Sequence, residues 1–255
     1  MKEIEEYILK FNELDLTRTK YPYVLHFQKG TKQLTFFGSH HTFNPDDIEF
    51  NKIEEEFNIL KPQILLWEGN FVRSSDKEIA KQNGEMAYSV FLANTQGISH
   101  KSLDVHIKDD AEYQTKMFDG EYIFAFFSLR TMNTMRTKNA SDAEALTAVE
   151  NRIKECSDTF GWQDFDFSMN NLEKIYENIF STNLSLSVSS WDRKKIGPNY
   201  NYSVLNEIAR SSSDYRNVSS MRTILGSLEE YDRVFAIMGG THVYAQEVAL
   251  RKFFS

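Results

Sequence analysis

The sequence predicts an α/β fold: a mixed, largely parallel sheet flanked by helices, with a mostly helical middle third. Three observations carry this. A β-rich start and a helical stretch lead into the short, wholly apolar run Ile64-Leu65-Leu66-Trp67, the order strand, helix, strand. The last fifty residues read as helix, apolar strand and helix. The chain's 255 residues, 41% hydrophobic and 14% aromatic, suffice for a large core, and 4 prolines and 11 glycines form no linker between halves. A single domain over 1–255 is expected.

Tyr23 to Phe37 reads as two strands joined at Lys29-Gly30, a hairpin whose second arm ends at Gly38. In N-P-D-D-I-E-F, Asn44 suits a cap, Pro45 the first helical position, and Asp46 and Asp47 the positive end of the dipole. That helix should run to about Leu60, before the break at Pro62. A strand–helix–strand unit is right-handed with parallel strands, so Gly38 to His41 and Glu68 should leave the same sheet edge, where ligands of open α/β sheets bind. One helix is expected over Lys77–Thr95, and a third strand from Ile98 to near Asp104 and His106. From Asp110 to about Tyr202 the spacing is mostly helical. After two helical stretches, D-R-V-F-A-I-M is a buried strand and H-V-Y-A-Q-E-V-A-L a closing helix.

Net charge of −8 and a pI near 5.4 argue against a large phosphate-binding surface, and so against nucleic acid as a partner. The start M-K-E-I-E-E-Y has no signal-peptide pattern and no apolar run nears ~20 residues, so a soluble, cytoplasmic protein without membrane partners is expected. Cys156, the only cysteine, reads as structural. No G-x-S-x-G elbow, phosphate loop or G-x-G-x-x-G is present, so Ser39 reads as a turn hydroxyl and nucleotide chemistry is disfavoured.

The chemistry-bearing pattern is a pair of G-x-x-H turns at strand ends, Gly38-Ser39-His40-His41 and Gly239-Gly240-Thr241-His242, with Glu68 ending a third strand. Glycine there permits positive φ and close backbone approach, and a histidine beside a helix N-terminus is placed for an anion or oxyanion. A carboxylate following I-L-L-W is costly unless paired or ligating. Two chemistries use these residues. In one, His41, Glu68 and His242, with His40 as a further ligand, hold a divalent metal that activates water. In the other, a histidine takes a proton from water while Glu68 orients it and Arg73 or Arg216 stabilises the oxyanion. Against both stands the plainer reading that the histidines cap helices and Glu68 pairs with Arg73. Asp104 and His106 share the same edge. Arg130 and Arg136 lie on a helix of unknown facing.

These motifs resemble the TraB/GumN/Tiki superfamily, which also takes in erythromycin esterase-like and ChaN-like haem-binding proteins. The matching elements are F-G-S-H-H with His41, L-L-W-E-G-N-F-V-R with Glu68 and Arg73, D-Y-R-N-V-S-S-M with Arg216, and V-F-A-I-M-G-G-T-H with His242. The match covers residues 30 to 105 and 205 to 255. The resemblance implies a site at the carboxyl edge of the sheet and a helical insertion, 106–204, roofing it, with Trp191 to Tyr202 as a lid. It implies hydrolysis of an amide or ester in a small molecule or peptide, with a divalent metal (Mn, Co, Fe or Zn) in the Tiki group and none in the erythromycin esterases. ChaN-like members bind haem instead, so a non-catalytic ligand-binding or sensor protein is the alternative. A homo-oligomer is left open.

Overall fold

The computed structural model describes residues 2–69 and 74–255. The chain divides into two compact units, one of residues 1–104 with 216–255 and one of residues 105–215. The stretch 106–204 lies inside the second.

The first unit opens with a short helix, α1 (Lys2–Glu5), and two 3₁₀ turns, followed by the hairpin β1 (Tyr23–Lys29) and β2 (Lys32–Ser39). Gly30, at φ 60, makes the turn that the sequence places there. The next helix, α2 (Ile48–Leu60), starts later than Asn44 and Pro45 suggest. Asp47 is its N-cap, accepting from the Glu49 N–H at 2.9 Å, while Asn44 turns the preceding loop by accepting from the Asp46 N–H. β3 (Ile64–Trp67) follows as expected. The single helix expected over Lys77–Thr95 is two, α3 (Lys77–Gln82) and α4 (Glu85–Thr95), because Gly84 adopts φ 98, a conformation no helix contains. β4 (Ser99–Ser102) completes this half.

The second unit is helical: α5 (Ile107–Gln114), α6 (Gly120–Leu129), α7 (Thr131–Thr137), α8 (Asp142–Phe160) and α9 (Met169–Phe180). Its core joins Phe124, Phe127, Val149, Cys156, Phe160 and Leu172, so Cys156 packs as a small apolar group, its thiol pushed up to about 12 by burial. Trp191 is buried there, its indole N–H donating to Asn133 Oδ1 at 2.9 Å, and Asn206 donates to the carbonyls of Lys194 and Gly197. The Trp191–Tyr202 segment is thus anchored within its own unit. Arg136 is spent on the Trp191 carbonyl, and Arg130 lies over Phe126 and Phe127.

The two helical stretches after Tyr202 are one 27-residue helix, α10 (Val204–Glu230), leading to β5 (Arg233–Gly239) and α11 (Gly240–Phe254). The sheet order is β1-β2-β5-β3-β4, with β1 antiparallel on the edge and the other pairings parallel. The last strand is therefore the central one. Its residues alternate faces: Val234, Ala236 and Met238 pack with Ile224 and Leu225 of α10 and Val243 and Leu250 of α11, whereas Phe235 and Ile237 pack with Phe50 and Phe57 of α2 and Tyr88 of α4. Both faces of β5 are covered, which is why its sequence is a continuous apolar run. Among the described residues no helix is long and apolar enough to cross a membrane.

Candidate active site

Parallel pairing aligns three strand ends. Ser39 stands opposite Gly239 across β2 and β5, and Trp67 opposite Ile237 across β3 and β5. Both G-x-x-H turns and Glu68 therefore leave the sheet at one edge, with Gly239 in the middle.

Glu68 is the buried centre, 7% exposed. Its Oε2 accepts the Gly239 N–H at 2.6 Å and its Oε1 accepts from Arg216 Nη2 at 2.5 Å. The same guanidinium nitrogen donates to Asp104, which lies past the end of β4, a strand that stops at Ser102 rather than near Asp104 and His106 as expected. Burial alone would raise this carboxyl, but the charges of Arg216, His242 and His41 outweigh it and hold Glu68 well below the usual carboxylate range. Arg216 is shifted the opposite way: burial opposes its charge, while Asp104 and Glu68 reinforce it.

His41 reaches the cluster from an unusual backbone. It sits at φ 62, a left-handed conformation costing about 1–2 kcal/mol for a residue bearing a Cβ. Glycine's tolerance of positive φ is not what the turns use, because Gly38 and Gly239 both lack it. They serve close approach instead. A Cβ on Gly239 would stand 2.6 Å from His41 Nε2 and 3.6 Å from Glu68 Oε2; one on Gly38 would stand 2.8 Å from the Gly240 Cα. Nδ1 of His41 lies 2.8 Å from Oε1 of Glu85, which also accepts from Ser39 Oγ at 2.6 Å. Burial would lower the imidazole, yet the Glu85 hydrogen bond and charge, with the charge of Glu68, raise it to about 9. Even so, 53% of the side chain is exposed, so His41 is more open to solvent than Glu68, His242 or Arg216.

His242, on the first turn of α11, is nearly buried. Its Nδ1 lies 2.6 Å from Asn217 Oδ1 and its Nε2 3.6 Å from Glu68 Oε1. With the amide oxygen accepting, Nδ1 carries the proton and Nε2 presents its lone pair toward the carboxylate. Burial, helped by Arg216, outweighs Glu68 and lowers this imidazole to about 4. At neutral pH one histidine is charged and the other neutral.

The structure thus brings together His41, Glu68, His242 and Arg216, and adds Asp104. His40 is turned away: Nδ1 contacts Glu49, Nε2 lies 3.1 Å from Asp47 Oδ2, and burial pushes Glu49 up to about 7 against the pull of His40. His106 caps α5 by accepting the Lys108 N–H. Arg73 lies outside the described residues. Sequence reading missed Glu85 and Asn217, the two acceptors that orient the imidazoles. Glu85 has a local signal, a carboxylate directly after Gly84 and before the apolar run M-A-Y-S-V; Asn217 has none, since only the facing of α10 brings it to His242.

Among the described residues no three carboxylate, imidazole or thiolate groups are set as a metal-holding group. Glu68 is engaged on both oxygens and His40 points elsewhere, whereas His242 Nε2 faces the carboxylate at 3.6 Å and His41 Nε2 lies beside Gly239, each ring partnered through its Nδ1. No protein-family model, curated protein or solved structure matches the chain.

Proposed function

We propose that this chain is a hydrolase that splits an ester or amide bond at the carboxylate-centred histidine pair. The observation that carries the reading is His242 facing buried Glu68 while His41 and Glu68 share the space beside Gly239, each ring oriented through its Nδ1 by a separate acceptor. Pairs of titratable groups driven apart by their surroundings divide acid and base roles between them. His242, neutral, and Glu68 face each other as acceptors across 3.6 Å, and a water placed beside them donates to both and is activated for attack. The proton leaves to His242 Nε2. His41, an exposed imidazolium, stabilises the developing oxyanion and gives its proton to the leaving alcohol or amine. Arg216 keeps Glu68 ionised throughout.

A metal-assisted version of the same chemistry is the second reading. The tethering of both Nδ1 atoms favours it, because that arrangement leaves Nε2 free on each ring, as imidazole ligation requires. Both versions accord with the TraB/GumN/Tiki resemblance.

The test is hydrolysis of a panel of esters, amides and peptides by wild type, His41→Ala and His242→Ala, with elemental analysis of each protein. Loss of about 10²–10⁴-fold in each variant, without loss of fold, supports the reading. Activity that survives the double variant overturns it. Near-stoichiometric Mn, Co, Fe or Zn that vanishes in His41→Ala selects the metal-assisted version.

A further inference from the structure

The turn that carries His41 runs against its own backbone preference. In Gly38-Ser39-His40-His41 it is His41, at φ 62, that takes the left-handed conformation, and a residue bearing a Cβ stays there only when its surroundings hold it. After His41 the chain is held by the ring of Phe43 against Gly84, where a Cβ would stand 3.0 Å from Cε1. Before it, β2 ends at Ser39, and His40 is the residue between. His40 is gripped by the start of α2. Oε2 of Glu49 accepts its backbone N–H at 3.3 Å and also the proton of its Nδ1, while Asp47 Oδ2 lies 3.1 Å from its Nε2. One carboxylate oxygen thus ties both the main chain and the ring of the residue preceding His41.

Glu49 is a costly means to that end. Its side chain is fully buried, and its other oxygen, Oε1, has no hydrogen-bond partner among the described residues. A half-satisfied buried carboxylate lowers stability, and an apolar side chain of similar size in its place is often neutral or favourable. Helix α2 does not need it either. Its cap is Asp47, to which Glu49 gives only a backbone N–H, a group that leucine or glutamine supplies equally. What the Glu49 side chain supplies, and an apolar one cannot, is the acceptor at His40.

We propose that Glu49 is a positioning residue of the candidate active site: by gripping His40 it keeps His41 in the left-handed conformation from which its ring meets Glu85 and the space beside Gly239; this rests on the hydrolase reading above. Glu49 touches no substrate, and no bond or proton passes through it.

Glu49→Leu removes the acceptor, Glu49→Gln keeps one, and His40→Ala removes the gripped ring at a position open to solvent on one side. The experiment measures thermal melts, kcat and KM for p-nitrophenyl acetate, p-nitrophenyl butyrate and an N-acyl p-nitroanilide with wild type, these three variants and His41→Ala. Glu49→Leu is expected to melt within about 4 °C of wild type or higher. Its kcat should fall about 5- to 30-fold, the population shift that the cost of a left-handed residue amounts to, with KM within about twofold. His40→Ala should fall in the same direction, Glu49→Gln should return to within about threefold of wild type, and His41→Ala should be inactive. A clamp that serves only the fold would lower the melt and leave kcat unchanged. A kcat within about twofold of wild type in Glu49→Leu, or in His40→Ala where Glu49→Leu does not fold, overturns the role of Glu49 and leaves the hydrolase standing. A Glu49→Gln enzyme as slow as Glu49→Leu also overturns it, since charge rather than grip would then be what His41 depends on. Wild type that cleaves no probe faster than His41→Ala overturns both.

Discussion

Gly239 concentrates three demands in one residue. Its N–H neutralises part of the Glu68 carboxylate, its carbonyl side continues β5 into α11, and the space where a Cβ would stand belongs to His41. None of these needs a positive φ. Gly239→Ala should therefore leave the backbone in place and push the His41 ring aside. Because that ring is half-exposed and able to swing outward, the stability cost should fall near the low end of overpacking, about 1 kcal/mol, whereas activity should drop by about 10²-fold through misplacement. Denaturant unfolding beside kinetics checks both; a large stability loss with full activity would show that His41 is not where the chemistry needs it.

Helix α2 illustrates how neighbouring residues compete for one local task. Asn44, Asp46 and Asp47 all suit a helix start, and Pro45 favours an early one, yet Asp47 takes the cap because its Oδ1 reaches the Glu49 N–H while its other oxygen reaches His40. Asp47→Ala should cost about 1 kcal/mol from the cap, measured by denaturant unfolding, and Asn44→Ala clearly less. Equal effects would return the cap to Asn44. Likewise, Gly84 cuts a helical stretch in two, and the cut delivers Glu85 at a new helix start, buried and facing His41. An unbroken helix over Lys77–Thr95 would leave no such terminus.

Across the whole molecule, the opposed shifts of the two histidines give stability a pH signature. His41 binds its proton more tightly folded, about 9 against 6.5 unfolded, so its contribution is complete below pH 6.5 and is lost as pH rises through 9. His242 is displaced the other way, to about 4, so between pH 6.5 and 4 the unfolded chain takes up the proton first and stability falls with acidification. Thermal melts of wild type and two variants resolve the contributions. The advantage of wild type over His41→Gln should shrink from pH 6.5 to above 9, and relative to His242→Gln wild type should lose stability from pH 6.5 down to 4. Parallel curves would mean that the rings titrate normally in the fold.

What the sequence determined by itself was everything written in local pattern: the hairpin, the apolar strands at Ile64 and Arg233, the closing helix, and the placing of His41, Glu68 and His242 at strand ends. Periodicity and turn chemistry act over a few residues, so one chain reveals them. Only the tertiary structure decided that β5 inserts between β2 and β3, that Arg216 joins Glu68 to Asp104, that His40 turns to Glu49 and Asp47, and that Glu85 and Asn217 orient the two imidazoles. Each of these depends on which face of a helix meets the sheet edge. Glu68 and Asn217 are 149 positions apart, and no local preference links residues at that distance; burial of both faces of β5 does.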